Sequence, residues 1–167
     1  NFEVNPSFAL VIKVQDNGTG TLSSQATITV SLLNVNEAPV IANQAFSISE
    51  NSANGTLVGN VTASDPDTGQ TLSYSIVSGN TGSAFAINAS TGALTVNTSS
   101  ALNFEVNPSF ALVIKVQDNG TGSLSNQATI TVSLLNVNEA PAISNQAFSI
   151  SENSANGTLV GNVTASD

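Results

Sequence analysis

The carboxylates of this chain are the side chains whose type and position could do chemistry. The 11 Asp and Glu residues face only two cationic side chains, Lys13 and Lys115. Strand ends from different parts of a β-protein gather at its two poles. Carboxylates grouped at a pole repel one another unless a cation lies among them, so the pattern predicts cation sites at the poles. Between 38 and 139 the carboxylates lie at predicted strand ends and connections, at Glu50, Asp65, Asp67, Glu105, Asp118 and Glu139.

Most catalytic chemistry is excluded by composition. The chain has no His and no Cys, so it lacks the usual general base, a thiol nucleophile, the common zinc and haem ligands and disulfides. Asp65 and Asp67 could be read as the carboxylate pair of a glycosidase, but no aromatic platform for a sugar surrounds them. The sequence therefore predicts that this segment is not an enzyme.

The charge balance also excludes classes of partner. The net charge is -9, whereas nucleic-acid binding needs cations that displace counterions from phosphates. Anionic membrane surfaces need the same cations. The apolar runs are far shorter than the roughly 18 residues that span a bilayer. We therefore predict no nucleic-acid partner and no membrane insertion in this segment.

The chain is an internal repeat. Residues 1–65 align with residues 103–167 at an offset of 102, and 61 of these 65 positions are identical. The four differences are Thr21/Ser123, Ser24/Asn126, Val40/Ala142 and Ala42/Ser144. Both ends resemble cuts through the middle of a unit, so we expect the parent protein to be a longer tandem array.

The elements that must position the carboxylates are β-strands. Apolar and polar residues alternate in seven short segments of the 102-residue repeat, and turn sequences such as Asn54-Gly55 and Asp118-Asn119-Gly120 separate them. About 100 residues with seven alternating strands is typical of a Greek-key immunoglobulin-like sandwich. The predicted fold class is therefore all-β, with such sandwiches in tandem. Its predicted core is Phe46, Val61, Tyr74, Ile76, Phe85, Ile87, Phe110, Leu112, Ile114, Ile130 and Val132.

Prolines predict where one sandwich ends and the next begins. Asn36-Glu37-Ala38-Pro39 returns as Asn138-Glu139-Ala140-Pro141, and Pro interrupts strand pairing. The complete repeat is then 38–139, with the C-terminal part of a repeat at 1–37 and the N-terminal part of another at 140–167. Half a sandwich exposes its core face and strand edges, so we expect neither flank to fold alone unless further chain or another copy completes it.

Six motifs in order carry a family resemblance. They are Ser49-Glu50-Asn51, Ala63-Ser64-Asp65-Pro66-Asp67, Thr91-Gly92-Ala93-Leu94, Leu102-Asn103-Phe104-Glu105, Val116-Gln117-Asp118-Asn119-Gly120 and Asn136-Val137-Asn138-Glu139-Ala140-Pro141. Together they resemble a cadherin repeat, in the form found in large bacterial surface adhesins, RTX-type or related. The resemblance covers the whole repeat and hence the whole chain.

The resemblance implies Ca²⁺ between consecutive repeats. At one junction the implied ligands come from the upstream repeat, the linker and the following repeat. They are Asn1, Glu3, Asn34, Asn36, Glu37, Asp65, Asp67 and Asp118. At the other junction they are Glu50, Asn103, Glu105, Asn136, Asn138, Glu139 and Asp167.

The sequence departs from the family at four of these positions. Asn1, Asn103, Asn34 and Asn136 stand where the family usually has Asp. An amide oxygen can still bind Ca²⁺, but each exchange removes a negative charge and weakens the site. We expect two or three ions per junction, with the affinity of extracellular modules, about 10⁻⁴–10⁻³ M.

The resemblance implies an extracellular segment that spaces an adhesive tip from a cell or builds a filament. Repeats that differ at so few positions add length but little new specificity. The alternative is a module that binds carbohydrate or pairs with copies on another cell. An accessory module of a secreted polysaccharide hydrolase is a third option, and a solvated acidic surface is the plain alternative to metal binding. The expected partners are neighbouring repeats and other copies of the chain.

Overall fold

The computed structural model describes residues 1–166, and these residues form strands, turns and two short 3-10 helices. The helices, Thr81–Ser83 and Ser99–Ala101, are single turns. The strands are β1 (Ser7–Gln15), β2 (Ser23–Ser31), β3 (Val40–Ile41), β4 (Gln44–Ser49), β5 (Leu57–Asn60), β6 (Ala63–Ser64), β7 (Ser73–Ser78), β8 (Phe85–Ile87), β9 (Ala93–Val96), β10 (Ser109–Gln117) and β11 (Ser125–Leu135).

Two main sheets are formed by strands between Gln44 and Leu135. One has the order β4-β11-β10-β7 and the other the order β5-β9-β8, while β3 and β6 pair separately. β10 and β11 form an antiparallel hairpin in which Leu112 lies opposite Ile130. β4 runs parallel to β11, with Phe46 opposite Val132 and Ile48 opposite Leu134. Sequence-distant strands therefore meet on both sides of the central hairpin.

The core lies between these sheets. Phe85 of β8 meets Phe110 of β10 edge to face, with ring centroids 5.0 Å apart. Of the eleven predicted core residues, Val61, Phe85, Phe110, Leu112, Ile114, Ile130 and Val132 are buried. The other four, Phe46, Tyr74, Ile76 and Ile87, are partly buried and pack against this cluster.

The strands differ from the seven expected in two places. β3 is an additional two-residue strand, and the predicted strand from Thr56 to Ser64 is divided into β5 and β6. The register of β5 against β9 shifts between Leu57 and Gly59, and the ring of Phe46 occupies the space where a side chain at Gly59 would lie. Alternation of residue types does not reveal this local break.

The N-terminal hairpin repeats the central one without its neighbours. β1 and β2 pair in the register of β10 and β11, with Leu10 opposite Ile28. Every residue of both strands is exposed. The face that forms the core in the central hairpin is therefore open to solvent here.

The chain divides into two compact units, Asn1–Leu135 and the residues from Asn136 onward. In the second unit, Ala142 bridges Ser166 and Gln146 Nε2 donates to the Thr164 carbonyl at 2.7 Å. Gln44 and Thr62 make the same contact in the first unit, at 2.9 Å. The boundaries at 38 and 139 inferred from the prolines stay predictions.

Candidate functional site

Three carboxylates are buried in the first unit although charged side chains normally stay in water. Glu50, Asp67 and Asp118 are 2%, 4% and 5% exposed. Asp67 lies just after β6 and Asp118 directly follows β10, so strand ends carry both to one pole. Burial of charge is costly unless it is paired or coordinates a metal, so this pole is the candidate site.

Local backbone geometry positions the two aspartates of this pole. Asp118 Oδ1 accepts from the amides of Gly120 and Leu124 at 3.1 and 3.0 Å, which closes the turn after β10. The Asp67 amide donates to Asp65 Oδ1 at 2.9 Å. The second Asp65 oxygen, Oδ2, is buried and has no hydrogen-bond partner in the part of the chain that the structure describes.

The segment 34–37 crosses the same pole. Asn34 Nδ2 donates to Asp67 Oδ1 at 2.8 Å, and the Glu37 amide donates to Asp67 Oδ2 at 2.9 Å. Asn36 Nδ2 donates to Asp118 Oδ2 at 3.2 Å. A Cβ at Gly120 would collide with the Asn36 amide, so the turn after β10 needs Gly for the linker to approach.

Glu3 completes the cluster from the N-terminal turn. Asn1 Oδ1 accepts from the Val4 amide at 2.9 Å, and the Asn1 carbonyl accepts from the Asn5 amide at 3.1 Å. Glu3, Glu37 and Asp67 each offer an oxygen, and these three oxygens lie within 4.8 Å of one another. The structure therefore brings together Glu3, Asn34, Asn36, Glu37, Asp65, Asp67 and Asp118.

The donor set consists of oxygen atoms, which suits a hard cation such as Ca²⁺. Both carboxylate oxygens of Glu3, together with Glu37 Oε2 and Asp65 Oδ2, are buried without a hydrogen-bond partner among the described residues. Buried polar atoms almost always have partners, so four such oxygens at one pole mark a place for a cation. All candidate ligands are carboxylate or amide oxygens, the donors that Ca²⁺ takes in sets of about 6–8.

The negative charges of the carboxylates at this pole repel one another. Desolvation raises the pKa of the Glu37 carboxyl above its usual value, and the neighbouring charges of Glu3, Asp67 and Asp65 raise the pKa further. Neither Lys13 nor Lys115 belongs to the segments that form the pole, because they lie inside β1 and β10. A bound cation would relieve this repulsion.

Gln70 belongs to this pole although the sequence patterns did not predict it. Its Nε2 donates to Asn36 Oδ1 at 2.5 Å, while its Oε1 is buried with no hydrogen-bond partner among the residues described. Gln70 lies in the loop that begins at Asp65-Pro66-Asp67. This position in the loop is the sequence feature that could have indicated it. Glutamine is neutral, and Gln70 belongs to none of the six motifs, so neither charge nor motif indicates its position at this pole.

The opposite pole of the first unit carries Glu50 directly after β4. Glu50 Oε2 accepts from the Phe104 amide at 2.7 Å, so the carboxylate lies against the segment of Asn103 and Glu105. Asn103 Oδ1 accepts from the Val106 amide at 2.7 Å. The remaining predicted ligands Asn136, Asn138 and Glu139 belong to the second unit, and Asp167 lies outside the described residues. Metal binding by all of these residues stays a prediction.

Comparison with known proteins identifies the class to which this fold and pole belong. The family model described as the cadherin domain matches residues 44–135. The chain therefore belongs to the cadherin family.

Particular relatives and solved structures agree with this family. The chain is 34% identical to human Cadherin-24 over 185 aligned residues, which cover 99% of the chain and 22% of that protein. It is 36% identical to human Protocadherin Fat 4, with 95% of the chain and 3% of that protein covered. The structure of Protocadherin Gamma B2 extracellular cadherin domains 3-6 has a TM-score of 0.72 at 29% identity and covers 89% of this chain and 38% of its own. Mouse Cadherin-23 EC22-24 has a TM-score of 0.71 at 25% identity, with coverages of 99% and 55%.

These similarities confirm the predicted all-β, immunoglobulin-like sandwich. The relatives are cadherins and protocadherins, which are adhesion proteins and not enzymes, so the segment is an extracellular cadherin segment without an enzymatic role. In the part of the chain that the structure describes, no helix has the length and apolarity to cross a bilayer. Cadherin-24, Protocadherin Fat 4 and Cadherin-23 are animal proteins, and the expectation of a bacterial adhesin is not confirmed.

Proposed function

We propose that this chain is part of an extracellular cell-adhesion protein in which Ca²⁺ joins consecutive cadherin repeats. The observation that carries the proposal is the set of buried carboxylate oxygens of Glu3, Glu37 and Asp65 that lack a hydrogen-bond donor among residues 1–166. An apolar or merely solvated surface would not bury such oxygens beside Asp67, which is itself buried.

At the first junction, three segments of the first unit would hold the ions. Glu3 comes from the N-terminal turn, Glu37 from the linker, and Asp67 from the loop after β6. Asn34 and Asn36 now donate through their amide nitrogens to aspartates, and rotation of an amide would present its oxygen instead. Bound Ca²⁺ would offset the excess of carboxylates at this pole.

The second junction follows from the repeat. Glu105, Asn136, Asn138, Glu139 and Asp167 are the copies, 102 residues later, of Glu3, Asn34, Asn36, Glu37 and Asp65. Asn103 similarly repeats Asn1, and Glu50 is added from the end of β4. We propose the same chemistry there, with the repeat boundaries at residues 38 and 139.

A calcium titration tests the metal proposal. Isothermal titration calorimetry of the chain should give a dissociation constant of about 10⁻⁴–10⁻³ M, and Glu37→Gln should weaken binding. Asp16→Asn is the matched control, because Asp16 is exposed and contacts only the amides of its own turn. Binding that survives Glu37→Gln unchanged, or that fails equally in the control, would count against the proposed pole.

Two roles remain for a calcium-joined array. Pairing between copies on different cells is supported by the adhesion proteins among the relatives. A spacer role is supported by the near identity of the repeats, with 61 of 65 aligned positions unchanged. We propose adhesion as the first role and spacing as the second.

Beads coated with the chain distinguish the two roles. Clustering that requires calcium and stops in chelator supports adhesion. If the beads stay dispersed while small-angle scattering shows a calcium-dependent increase in maximum dimension, the segment is a spacer. Without either effect of calcium, both proposed roles fail.

A further inference from the structure

The linker segment 34–37 is attached to the candidate metal pole by hydrogen bonds between protein groups. Asn34 Nδ2 donates to Asp67 Oδ1 at 2.8 Å, and Asn36 Nδ2 donates to Asp118 Oδ2 at 3.2 Å. Both acceptors belong to buried aspartates. Since a buried charge is costly unless it is paired or hydrogen-bonded, the two amides stabilise these carboxylates at oxygens that a cation would otherwise neutralise.

The residue type at position 34 determines whether this contact attracts or repels. A carboxamide has two N–H donors, whereas an ionised carboxylate can only accept. The backbone amide of Glu37 donates to the other oxygen of Asp67 at 2.9 Å, so the linker donates to both oxygens of this carboxylate. An aspartate in place of Asn34 would remove one of these donors and add a like charge beside Asp67.

Gln70 determines which end of the Asn36 amide faces the pole. Gln70 Nε2 donates to Asn36 Oδ1 at 2.5 Å, so the nitrogen of Asn36 is the end that meets Asp118. Gly120 leaves room for this arrangement, because a Cβ there would collide with Asn36 Oδ1 and with Gln70 Nε2. The loop after β6 and the turn after β10 therefore both act on one residue of the linker.

We propose that Asn34, Asn36 and Gln70 form an amide network that holds the linker segment on the pole when calcium is absent. Calcium loading then requires rotation of the Asn34 and Asn36 amides and no docking of a free segment. The network does not extend to Glu3, whose carboxylate oxygens have no hydrogen-bond partner among residues 1–166. The N-terminal turn would therefore still depend on calcium.

The same hydrogen bonds compete with a cation. Asp67 Oδ1 and Asp118 Oδ2 accept from the linker amides, and Asn36 Oδ1 accepts from Gln70. These oxygens are also candidate calcium ligands, and hydrogen bonds to charged groups are the stronger ones. Breaking the network therefore lowers the calcium affinity. This competition rests on the proposed function, whereas the attachment of the linker in the absence of calcium goes beyond it.

Hydrogen exchange of the Glu37 amide in chelator tests the network. This amide donates to Asp67, so it is protected while the linker lies on the pole. Asn34→Asp should raise its exchange rate roughly tenfold or more, the effect of losing a hydrogen bond to a charged group. Asn34→Ala, which removes the donor and adds no charge, should raise the rate as well. Asn34 is exposed, so the melting temperature should report intact folding in both variants.

Asn119→Asp is the matched control for charge at the same pole. Asn119 is exposed, and its Oδ1 accepts from the Thr71 amide at 2.9 Å, which a carboxylate oxygen does equally well. The exchange rate of the Glu37 amide should therefore change less than about twofold, as expected for a surface charge. Equal acceleration in Asn34→Asp and Asn119→Asp would indicate general repulsion and overturn the network. An unprotected Glu37 amide in the wild-type chain would overturn it too.

Gln70 and Gly120 are tested by the same exchange measurement. Gln70→Met keeps a side chain of similar length but removes the donor to Asn36, and should accelerate exchange about two- to tenfold. Gly120→Ala should displace both amides and accelerate exchange as well. Gly18→Ala is its control, because a Cβ there would meet no listed atom closer than 3.7 Å. If neither Gln70→Met nor Gly120→Ala has an effect, Gln70 does not belong to the network and that part of the proposal is overturned.

Calorimetric titration with calcium distinguishes the network from a structural defect. Asn34→Asp loosens the linker in chelator, but it should tighten calcium binding roughly tenfold, because it removes a competing donor and adds charge to the ligand set. Weaker binding in this variant would overturn the competition.

The two measurements also separate this inference from the proposed function. If Asn34→Asp accelerates exchange but neither chain binds calcium, the metal site fails and the attachment of the linker stands. If the wild-type chain binds calcium while exchange in chelator is the same in both chains, the metal site stands and the network is overturned.

Discussion

Two hairpins of the first unit have nearly the same sequence and the same pairing but opposite surroundings. Leu10 and Ile28 in β1–β2 are 46% and 49% exposed, whereas their copies Leu112 and Ile130 in β10–β11 are both 0% exposed. The registers are identical over nine residue pairs. Local sequence thus determines the hairpin, while β4, β7 and the facing sheet determine whether it becomes a core.

The turns that follow β1 and β10 repeat this contrast for charge. Asp16 Oδ1 accepts from the Gly18 and Leu22 amides at 3.2 and 3.0 Å. Asp118 makes the equivalent two bonds. Only Asp118 is also buried and bonded to Asn36 from the crossing linker. The same turn is a solvent-exposed loop in one copy and part of a candidate metal pole in the other.

The largest expected difference between the hairpins is in core stability. Leu112→Ala should lower the free energy of unfolding by about 2–5 kcal/mol, because it leaves a cavity among buried residues. Leu10→Ala should change it by no more than about 0.5 kcal/mol, as for other surface substitutions. Urea denaturation at low protein concentration measures both. Similar losses in the two variants would mean that the hairpins share one environment, contrary to the structure.

The alternation of residue types was enough to predict most of the strands, the sandwich and most of the core. It could not predict the burial of Leu102, which lies in a connection and not in a strand. Nor could it predict the division of β5 from β6.

Likewise, only part of the candidate metal pole could be predicted from the sequence. The family resemblance implied that Glu3, Glu37 and Asp67 share one junction, and the structure places their oxygens together. Gln70 was not predicted, because its contact with Asn36 forms only in the folded chain. The motifs indicated Asn34 and Asn36 as well as the carboxylates, whereas Gln70, which belongs to none of the motifs, joins the cluster only through the fold.

Calcium should affect the turn after β10 but not the turn after β1. At about 10 mM, an ion with a dissociation constant of about 10⁻⁴–10⁻³ M adds roughly 1.4–2.7 kcal/mol to the free energy of unfolding. Hydrogen exchange of the Gly120 amide, which donates to Asp118, should slow when calcium is added. The Gly18 amide, which donates to exposed Asp16, should exchange at the same rate with and without the metal. Equal slowing at both amides would show a general salt effect.

A matched pair of amide substitutions sharpens the same contrast. Asp118→Asn removes a buried oxygen charge and should weaken calcium binding about tenfold, equivalent to about 1.4 kcal/mol. Asp16→Asn makes the same chemical change in the exposed turn and should leave the affinity unaltered. Calorimetric titration of both variants against wild type gives the comparison. Equal affinities in the two variants would remove Asp118 from the ligand set.

The smallest expected effect is the pH dependence of the calcium-free chain. The pKa of Glu37 is raised in the folded state by desolvation and by the charges of Glu3 and Asp67. The folded chain therefore keeps this proton to a higher pH than the unfolded chain does. Between the usual glutamate value of 4.5 and the raised value, the folded state binds more protons, so stability falls as pH increases.

Thermal melting in calcium-free buffer between about pH 4.5 and neutrality should show this decline. Glu37→Gln should flatten it, since the amide carries no titrating proton. Glu152→Gln, a change at an exposed carboxylate of the second unit, should leave the decline intact. With calcium the pH dependence of stability reverses. Protons compete with the ion for the same carboxylate, so calcium binding strengthens as pH rises. A decline that persists in Glu37→Gln would place the titrating group elsewhere, and the repulsion at this pole would then have to be sought among the other carboxylates.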